Sequence, residues 1–163
     1  MVVSGKYARP ECERRFLLSA VPAEATAPRA IVDRYLVGTR LRLRRMDPAD
    51  GTPVYKFGQK LRPREDDPSV VMITNIYLSA AEYEALVALP ADVVEKTRWV
   101  VSLGDGSLAV DEFHGRHAGL VLAEASFDDE SAMRAFVPPS WCSEEVTADD
   151  RYSGGSLARI GAP

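Results

Sequence analysis

Cysteine is almost missing from the 163 residues: Cys12 and Cys142 are the only two, and they lie far apart in the chain. That excludes a disulfide-stapled framework and fits reduced thiols in the cytoplasm. No apolar run is long enough to cross a bilayer, so no membrane partner is expected. Residues 1–10 hold neither an apolar core segment nor a small-residue cleavage site, so no signal peptide is expected. Internal repeats and low-complexity tracts are absent. An excess of positive charge is absent too. The formal net charge is −4, which argues against DNA and general nucleic-acid binding, although a local basic cluster fits within that figure. What is present, 46% apolar and 27% charged residues, is ordinary for a globular protein, and the length predicts a single domain over 1–163 with a hydrophobic core.

The informative pattern is alternation. Glu11, Glu13 and Arg15 occupy every second position, with the apolar run Phe16, Leu17 and Leu18 behind. Strand side chains alternate with period two, so these three charges share one face. Arg40, Arg42 and Arg44 alternate with Leu41 and Leu43 over 39–45, again a strand. Residues 47–51 read as a turn, and 54–61 as the returning strand, with Lys56, Gly58 and Lys60 on one face. Further strands are expected over 31–37, 69–78, 93–103, 107–113 and 119–127. Pro22 and Pro28 mark a connection, 63–68 a polar loop and 104–106 a turn. Ser79 to Glu82 fits a capping box opening a short helix over 80–89. Asp128 or Asp129 caps a second helix running to Phe136, and the tail from Trp141 is less regular. About eight strands with few helices predict a mainly β (α+β) fold: an eight-stranded antiparallel β-barrel forming a tunnel, with a few short helices outside.

If the charged parity points inward, the interior carries eight cations (Arg15, Arg40, Arg42, Arg44, Lys56, Lys60, Lys96, Arg98) against four acids (Glu11, Glu13, Asp111, Glu124). Two like charges about 6 Å apart repel by roughly 3 kcal/mol at an effective dielectric near 20. Several such pairs rival the whole stability of a small domain. A bound polyanion resolves the conflict: Arg forks match phosphate oxygens and Lys supplies point charges. The carboxylates suit Mg²⁺ or Mn²⁺, hard cations that bind oxygen.

The series Glu11-x-Glu13, Arg40-x-Arg42, 57–60 ending in Lys60, Lys96-x-Arg98, Asp111, 119–124 ending in Glu124, and Glu145-Val146-Thr147 with Arg151-Tyr152 resembles, in order, the CYTH or triphosphate tunnel metalloenzyme superfamily over roughly 11–152. The resemblance implies a metal-dependent triphosphatase acting on inorganic tripolyphosphate or a small organic triphosphate. Glu11 and Glu13 would be catalytic; Glu11, Glu13 and Glu124 would hold Mg²⁺ or Mn²⁺. Arg15, Arg40, Arg42, Lys60, Lys96 and Arg98 would bind phosphate, with Asp111, Arg44 and Lys56 in supporting positions.

Three departures stand out. The superfamily's Lys after the two glutamates is Arg15 here. Its fifth strand carries Arg and Glu, whereas 69–78 has neither. Its late Glu-x-Glu is Glu124-x-Ser126. A non-catalytic polyphosphate or nucleotide triphosphate-binding module and a class IV-type adenylyl cyclase are therefore the alternatives. The bland readings are also open: Glu11 and Glu13 on a solvated strand face, and the arginines as a surface stripe. Leu120 and Leu122 share the parity of Glu124, a break in the inward polar pattern. His114 and His117 read as a solvated loop. Trp99 and Tyr35 read as outer-face core residues ahead of base-stacking ones. Oligomeric state is open between monomer and homodimer.

Overall fold

The computed structural model describes residues 7–64, 67–104 and 106–163. Glu65 and Asp66 of the expected 63–68 loop, Asp105 of the 104–106 turn, and residues 1–6 of the N-terminal segment lie outside the described residues. Eight strands form the barrel: β1 (Arg9–Leu18), β2 (Thr26–Leu36), β3 (Leu41–Pro48), β4 (Val54–Leu61), β5 (Val70–Leu78), β6 (Ala91–Leu103), β7 (Gly106–Phe113) and β8 (Val121–Phe127). Every pairing is antiparallel. Neighbours run β5-β4-β3-β2-β6-β7-β8-β1, and β1 pairs back onto β5 to close the barrel. β1 does so by splitting its length: Arg9 to Cys12 pair with β5, and Cys12 to Leu18 pair with β8. A two-residue strand, β9 (Glu144–Glu145), continues the β5 edge along Phe16 and Leu17.

Alternation in sequence places the two faces of the wall. Outside β1, β6, β7 and β8, a core of Phe16, Leu18, Val101, Leu108, Val110, Val121, Ala123 and Ala125 packs under Val21, Phe127, Phe136 and Trp141. Burying one large apolar side chain of this kind contributes about 1.5–3 kcal/mol. Trp99 lies in this outer layer, as its parity implied. Helix α1 (Ala80–Val87) opens on the expected capping box, Ser79 with Glu82, and buries Tyr83 against Tyr55, ring centroids 4.6 Å apart. Helix α2 (Glu130–Ala135) is capped by Asp129, whose side chain accepts from the Ala132 amide.

Some expectations need correction. β2 begins at Thr26, not near 31, so Pro28 lies within a strand; the register shifts between Thr26 and Arg29, and Ala27 has φ of 50°. Such a bulge tolerates proline because the ladder is already broken there. β3 starts at Leu41, leaving Arg40 in the preceding turn, and runs on through Pro48. The tail is more ordered than its composition suggests. It carries a 3₁₀ turn at Asp150–Tyr152 and a helix α3 (Gly154–Ile160) capped by Ser153. Helix α3 packs its Leu157 and Ala158 against Val94, Phe113 and Leu122, which have the same parity as Lys96, Asp111 and Glu124. This explains the break in the β8 pattern: one end of the barrel's inner face is apolar because α3 covers it. His117 is likewise no solvated loop residue. It is buried, with Nε2 2.8 Å from the Leu157 carbonyl oxygen, while His114 Nε2 meets the Thr97 hydroxyl at 2.8 Å. Among the described residues no helix is long and apolar enough to cross a membrane.

Candidate functional site

The charged side chains do turn inward, onto one cavity of about 520 Å³. β1 contributes Glu11, Glu13 and Arg15; β3 gives Arg42 and Arg44; β4 gives Lys56, Gly58 and Lys60; β6 gives Asp92, Lys96 and Arg98; β8 gives Glu124. Arg40 joins them from the turn before β3, where it is exposed at the rim. Of the residues expected at the site, only Asp111 does not border the open space. It lies just behind it, 5% exposed, in contact with two that do.

Two buried carboxylates organise the cations. Asp111 on β7 receives Arg98 through a bidentate fork (2.6 and 2.7 Å) and the Lys96 ammonium at 2.6 Å. Asp33 on β2 receives Arg44 the same way (2.6 and 2.7 Å), with Arg42 Nε at 3.6 Å and Lys96 Nζ at 3.9 Å. Burial alone would raise the pKa of both acids. Arg44 and Arg42 at Asp33, and Arg98 and Lys96 at Asp111, reverse this and hold both far below the usual carboxylate range. Burial lowers the pKa of Lys96, and Asp111 only partly offsets that. Burial works in the same sense on Arg98, yet Asp111 carries its pKa above the ordinary guanidinium value. Forks fixed in this way leave the remaining N–H groups pre-oriented, so little side-chain entropy is lost when a ligand arrives.

The second cluster lies along β1 and β8. Lys60 Nζ sits 2.6 Å from Glu13 Oε2 and 3.6 Å from Glu11 Oε2. Arg98 reaches Glu124 at 3.8 Å. Burial lowers the pKa of Lys60, but Glu124, Glu13 and Glu11 together raise it above the usual lysine value. Burial would raise Glu124 as well, but Lys60 and Arg98 draw it down to about 2. Glu13 goes the other way: burial and the nearby Glu124 carboxylate raise it, against Lys60 and Arg15. Two carboxylates coupled in this manner titrate as a pair, one holding its proton to higher pH than the other. Among the described residues, no three His, Cys, Asp or Glu side chains already stand as a ligand set for a metal. Glu11, Glu13 and Glu124 nevertheless share one resident cation, the Lys60 ammonium, and supply only oxygen donors, the type Mg²⁺ and Mn²⁺ take.

Arg15 is more constrained than its motif suggested. Its amide donates to the Thr147 hydroxyl (3.0 Å), and its Nη1 donates to the Tyr152 carbonyl (2.9 Å). Its Nε is buried with no partner. Sequence reasoning missed several residues at or just behind the cavity wall. Asp33 was overlooked because its strand was read for hydrophobicity, although it shares parity with Ile31 and Tyr35. Tyr35 faces the cavity, not the outer core. Its hydroxyl packs so close to α3 that a Cβ on Gly154 would fall 2.0 Å from it. Arg62, Asp150 and Arg159 also border the cavity, Arg62 paired with Asp150 at 2.6 Å. In all, ten cations and five carboxylates line the space, and Asp33 and Asp111 behind them narrow the expected surplus.

No family model matches the chain. An inorganic triphosphatase of Nitrosomonas europaea is 31% identical over 159 residues, covering 91% of this chain and 96% of that protein. The chain belongs to the inorganic triphosphatase family. A second member, from Acetivibrio thermocellus, is 40% identical over 67 residues, 41% of this chain and 42% of the relative. A crystal structure of an inorganic triphosphatase aligns with a TM-score of 0.62 at 33% identity, over 91% of this chain and 93% of that one. Inorganic triphosphatase family membership thus agrees with the barrel and its converging cations.

Proposed function

We propose that this protein hydrolyses the terminal phosphoanhydride bond of a triphosphate, with inorganic tripolyphosphate as the reference substrate and Mg²⁺ or Mn²⁺ as cofactor. One observation carries the reading: the alternating cations of four strands and three carboxylates face a single cavity. The motif order that resembles the CYTH superfamily supports assignment to it, because Glu11, Glu13, Arg42, Lys60, Lys96, Arg98 and Glu124 lie on strands of one closed barrel and line its cavity.

In this reading Arg42, Lys60, Lys96 and Arg98 bind phosphate oxygens from the walls, Arg15 from the β1 side and Arg40 from the rim. Arg44 is committed to Asp33 and Arg98 partly to Asp111, so these acids set the direction of the phosphate-binding forks. Lys56 stands farther along β4 as a supporting charge. Glu11, Glu13 and Glu124 would hold the divalent ion, which when bound would supply charge neutralisation of the phosphates and a more acidic water. Glu11 and Glu13, as carboxylates lining the cavity, would orient the attacking water and take up its proton. Arg and Lys groups held around the developing charge act by electrostatic preorganisation, the main means available to a phosphoryl-transfer site.

The test is phosphate release from tripolyphosphate with Mg²⁺ and with Mn²⁺. Wild-type protein should be active with at least one of them, and Glu13→Gln should lose about a hundredfold or more in kcat, the lower range for removal of an acid–base group. Tight tripolyphosphate binding with no phosphate release under either metal would replace the proposal with a non-catalytic binding module.

A further inference from the structure

Arg15 sits where β1 changes partner. Along one edge β1 pairs with β5 over Arg9 to Cys12 and with β9 over Phe16 and Leu17. Alternate residues of an antiparallel strand direct N–H and C=O to the same neighbour. On this edge those residues are Glu13, Arg15 and Leu17. The Glu13 amide donates to the Ser69 carbonyl (2.8 Å), and the Leu17 carbonyl accepts from the Ser143 amide (2.9 Å). The Arg15 carbonyl accepts from the Val146 amide (2.8 Å), but its amide donates to a side chain, the Thr147 hydroxyl, at 3.0 Å. A threonine thus stands in for a strand carbonyl in the gap between β5 and β9.

The hydroxyl is fixed by both of its roles. It donates its own proton to Glu145 Oε1 (2.8 Å), and the Glu145 carboxylate is gripped by the Arg14 fork (2.7 and 2.9 Å). A lone pair is therefore left facing the Arg15 amide. Thr147 is buried, and Val146 beside it packs in the apolar cluster with Phe113, Leu122 and Leu157. Five residues on, the same tail holds the other end of Arg15, whose Nη1 donates to the Tyr152 carbonyl at 2.9 Å. The turn carrying that carbonyl is tied through Asp150 to Arg62 at 2.6 Å. Arg15 Nη2 lies 3.8 Å from Glu13 Oε1, and Nε is buried with no partner. A buried guanidinium N–H left open is one that an anionic oxygen would complete. Thr147 and Tyr152 do not border the cavity, so their route to a ligand runs through Arg15.

We infer that Thr147 is a positioning residue: together with the Tyr152 carbonyl it sets the bearing at which the Arg15 guanidinium receives phosphate. The inference rests on the triphosphatase reading above, in which Arg15 binds phosphate.

The experiment measures KM and kcat for tripolyphosphate with Mg²⁺ in wild type, Thr147→Val, Thr147→Ser, Arg15→Met and the Thr147→Val/Arg15→Met double variant, with a urea midpoint for each. Valine keeps the shape and removes the hydroxyl; serine keeps the hydroxyl. Thr147→Val should raise KM about tenfold, the lower end of what a hydrogen bond to a charged group contributes, and leave kcat within about twofold. Thr147→Ser should keep the wild-type KM. In the Arg15→Met background Thr147→Val should raise KM no further, because the group it positions is gone. An unchanged KM in Thr147→Val, a serine variant as impaired as the valine one, or an equal rise with and without Arg15 overturns the inference. If Thr147→Val does not fold, Glu145→Ala, at an exposed position, releases the same hydroxyl and is read through the same cycle with Arg15→Met. If wild type hydrolyses no tripolyphosphate, the function reading fails separately, and the same comparisons are read from dissociation constants for tripolyphosphate, with the same outcomes deciding.

Discussion

Asp33→Asn removes one charge and almost no volume, yet it should be among the most damaging single changes in the protein. Asp33 is 1% exposed and is the common partner of Arg44, Arg42 and Lys96. With a neutral amide there, Arg44 and Arg42 lose their shared counter-charge, and Lys96 keeps only Asp111. Breaking a buried ion pair by deleting one partner costs about 3–5 kcal/mol. That lowers the folded-to-unfolded ratio by roughly two to four decades. With a urea m-value of about 2 kcal/mol per M, the unfolding midpoint should fall by about 1.5–2.5 M. Urea denaturation followed by circular dichroism measures this directly. Combining Asp33→Asn with Arg44→Met should cost at least about 1 kcal/mol less than the two single changes added, since the charge left stranded is gone. A midpoint shift below about 0.5 M, or strict additivity in the double variant, would show that Asp33 is not the hub described here.

Further outcomes follow from the same geometry. Gly154→Ala should lower Tm, because its Cβ would meet the Tyr35 hydroxyl at 2.0 Å; overpacking of this kind costs about 1–3 kcal/mol, and a scanning calorimetry trace checks it. Acid should destabilise the protein through Glu124, whose folded pKa of about 2 lies below its ordinary 4.5. Its contribution is complete above about pH 4.5 and disappears as pH falls through 2, with Asp33 and Asp111 acting in the same sense; Glu13, with a raised pKa, offsets a part. Urea midpoints should therefore fall as the pH drops from about 4.5 to 3, and not between pH 6 and 4.5. Ser126 faces Glu13 directly across the β1–β8 ladder, so Ser126→Glu adds a fourth carboxylate and should tighten Mn²⁺ binding several-fold by calorimetry; weaker binding would place the ion elsewhere.

Much of this molecule could be read from alternation alone. The inward parity of Glu11 to Arg15, Arg42 to Arg44 and Lys96 to Arg98 predicted both the barrel and the convergence of its charges, because period two is a local property of a strand. What alternation could not show was which cations are free. Arg44 and Arg98 look equivalent to Arg42 in sequence, but Asp33 and Asp111 bind them with bidentate forks, and such pairing between strands is a tertiary fact. Arg40 kept the right parity and was still misplaced, since the β2–β3 turn ends at residue 40. Helix α3 was missed because seven residues with two glycines make a weak helix signal; tertiary contacts to Val94, Phe113 and Leu122 stabilise it, not intrinsic propensity.

That late helix bears on how the molecule must be made. Residues 154–160 seal the greasy end of the bore, and most of β1 waits for its β8 partner, Val121–Phe127, far along the chain. During synthesis the bore therefore stays unsealed until residues 154–160 have left the ribosome, with Phe113 and Leu122 facing water until then. A nascent chain in that state is sticky at two places at once, and ribosome-bound chains halted just before residue 154 would be the form that chaperones hold longest.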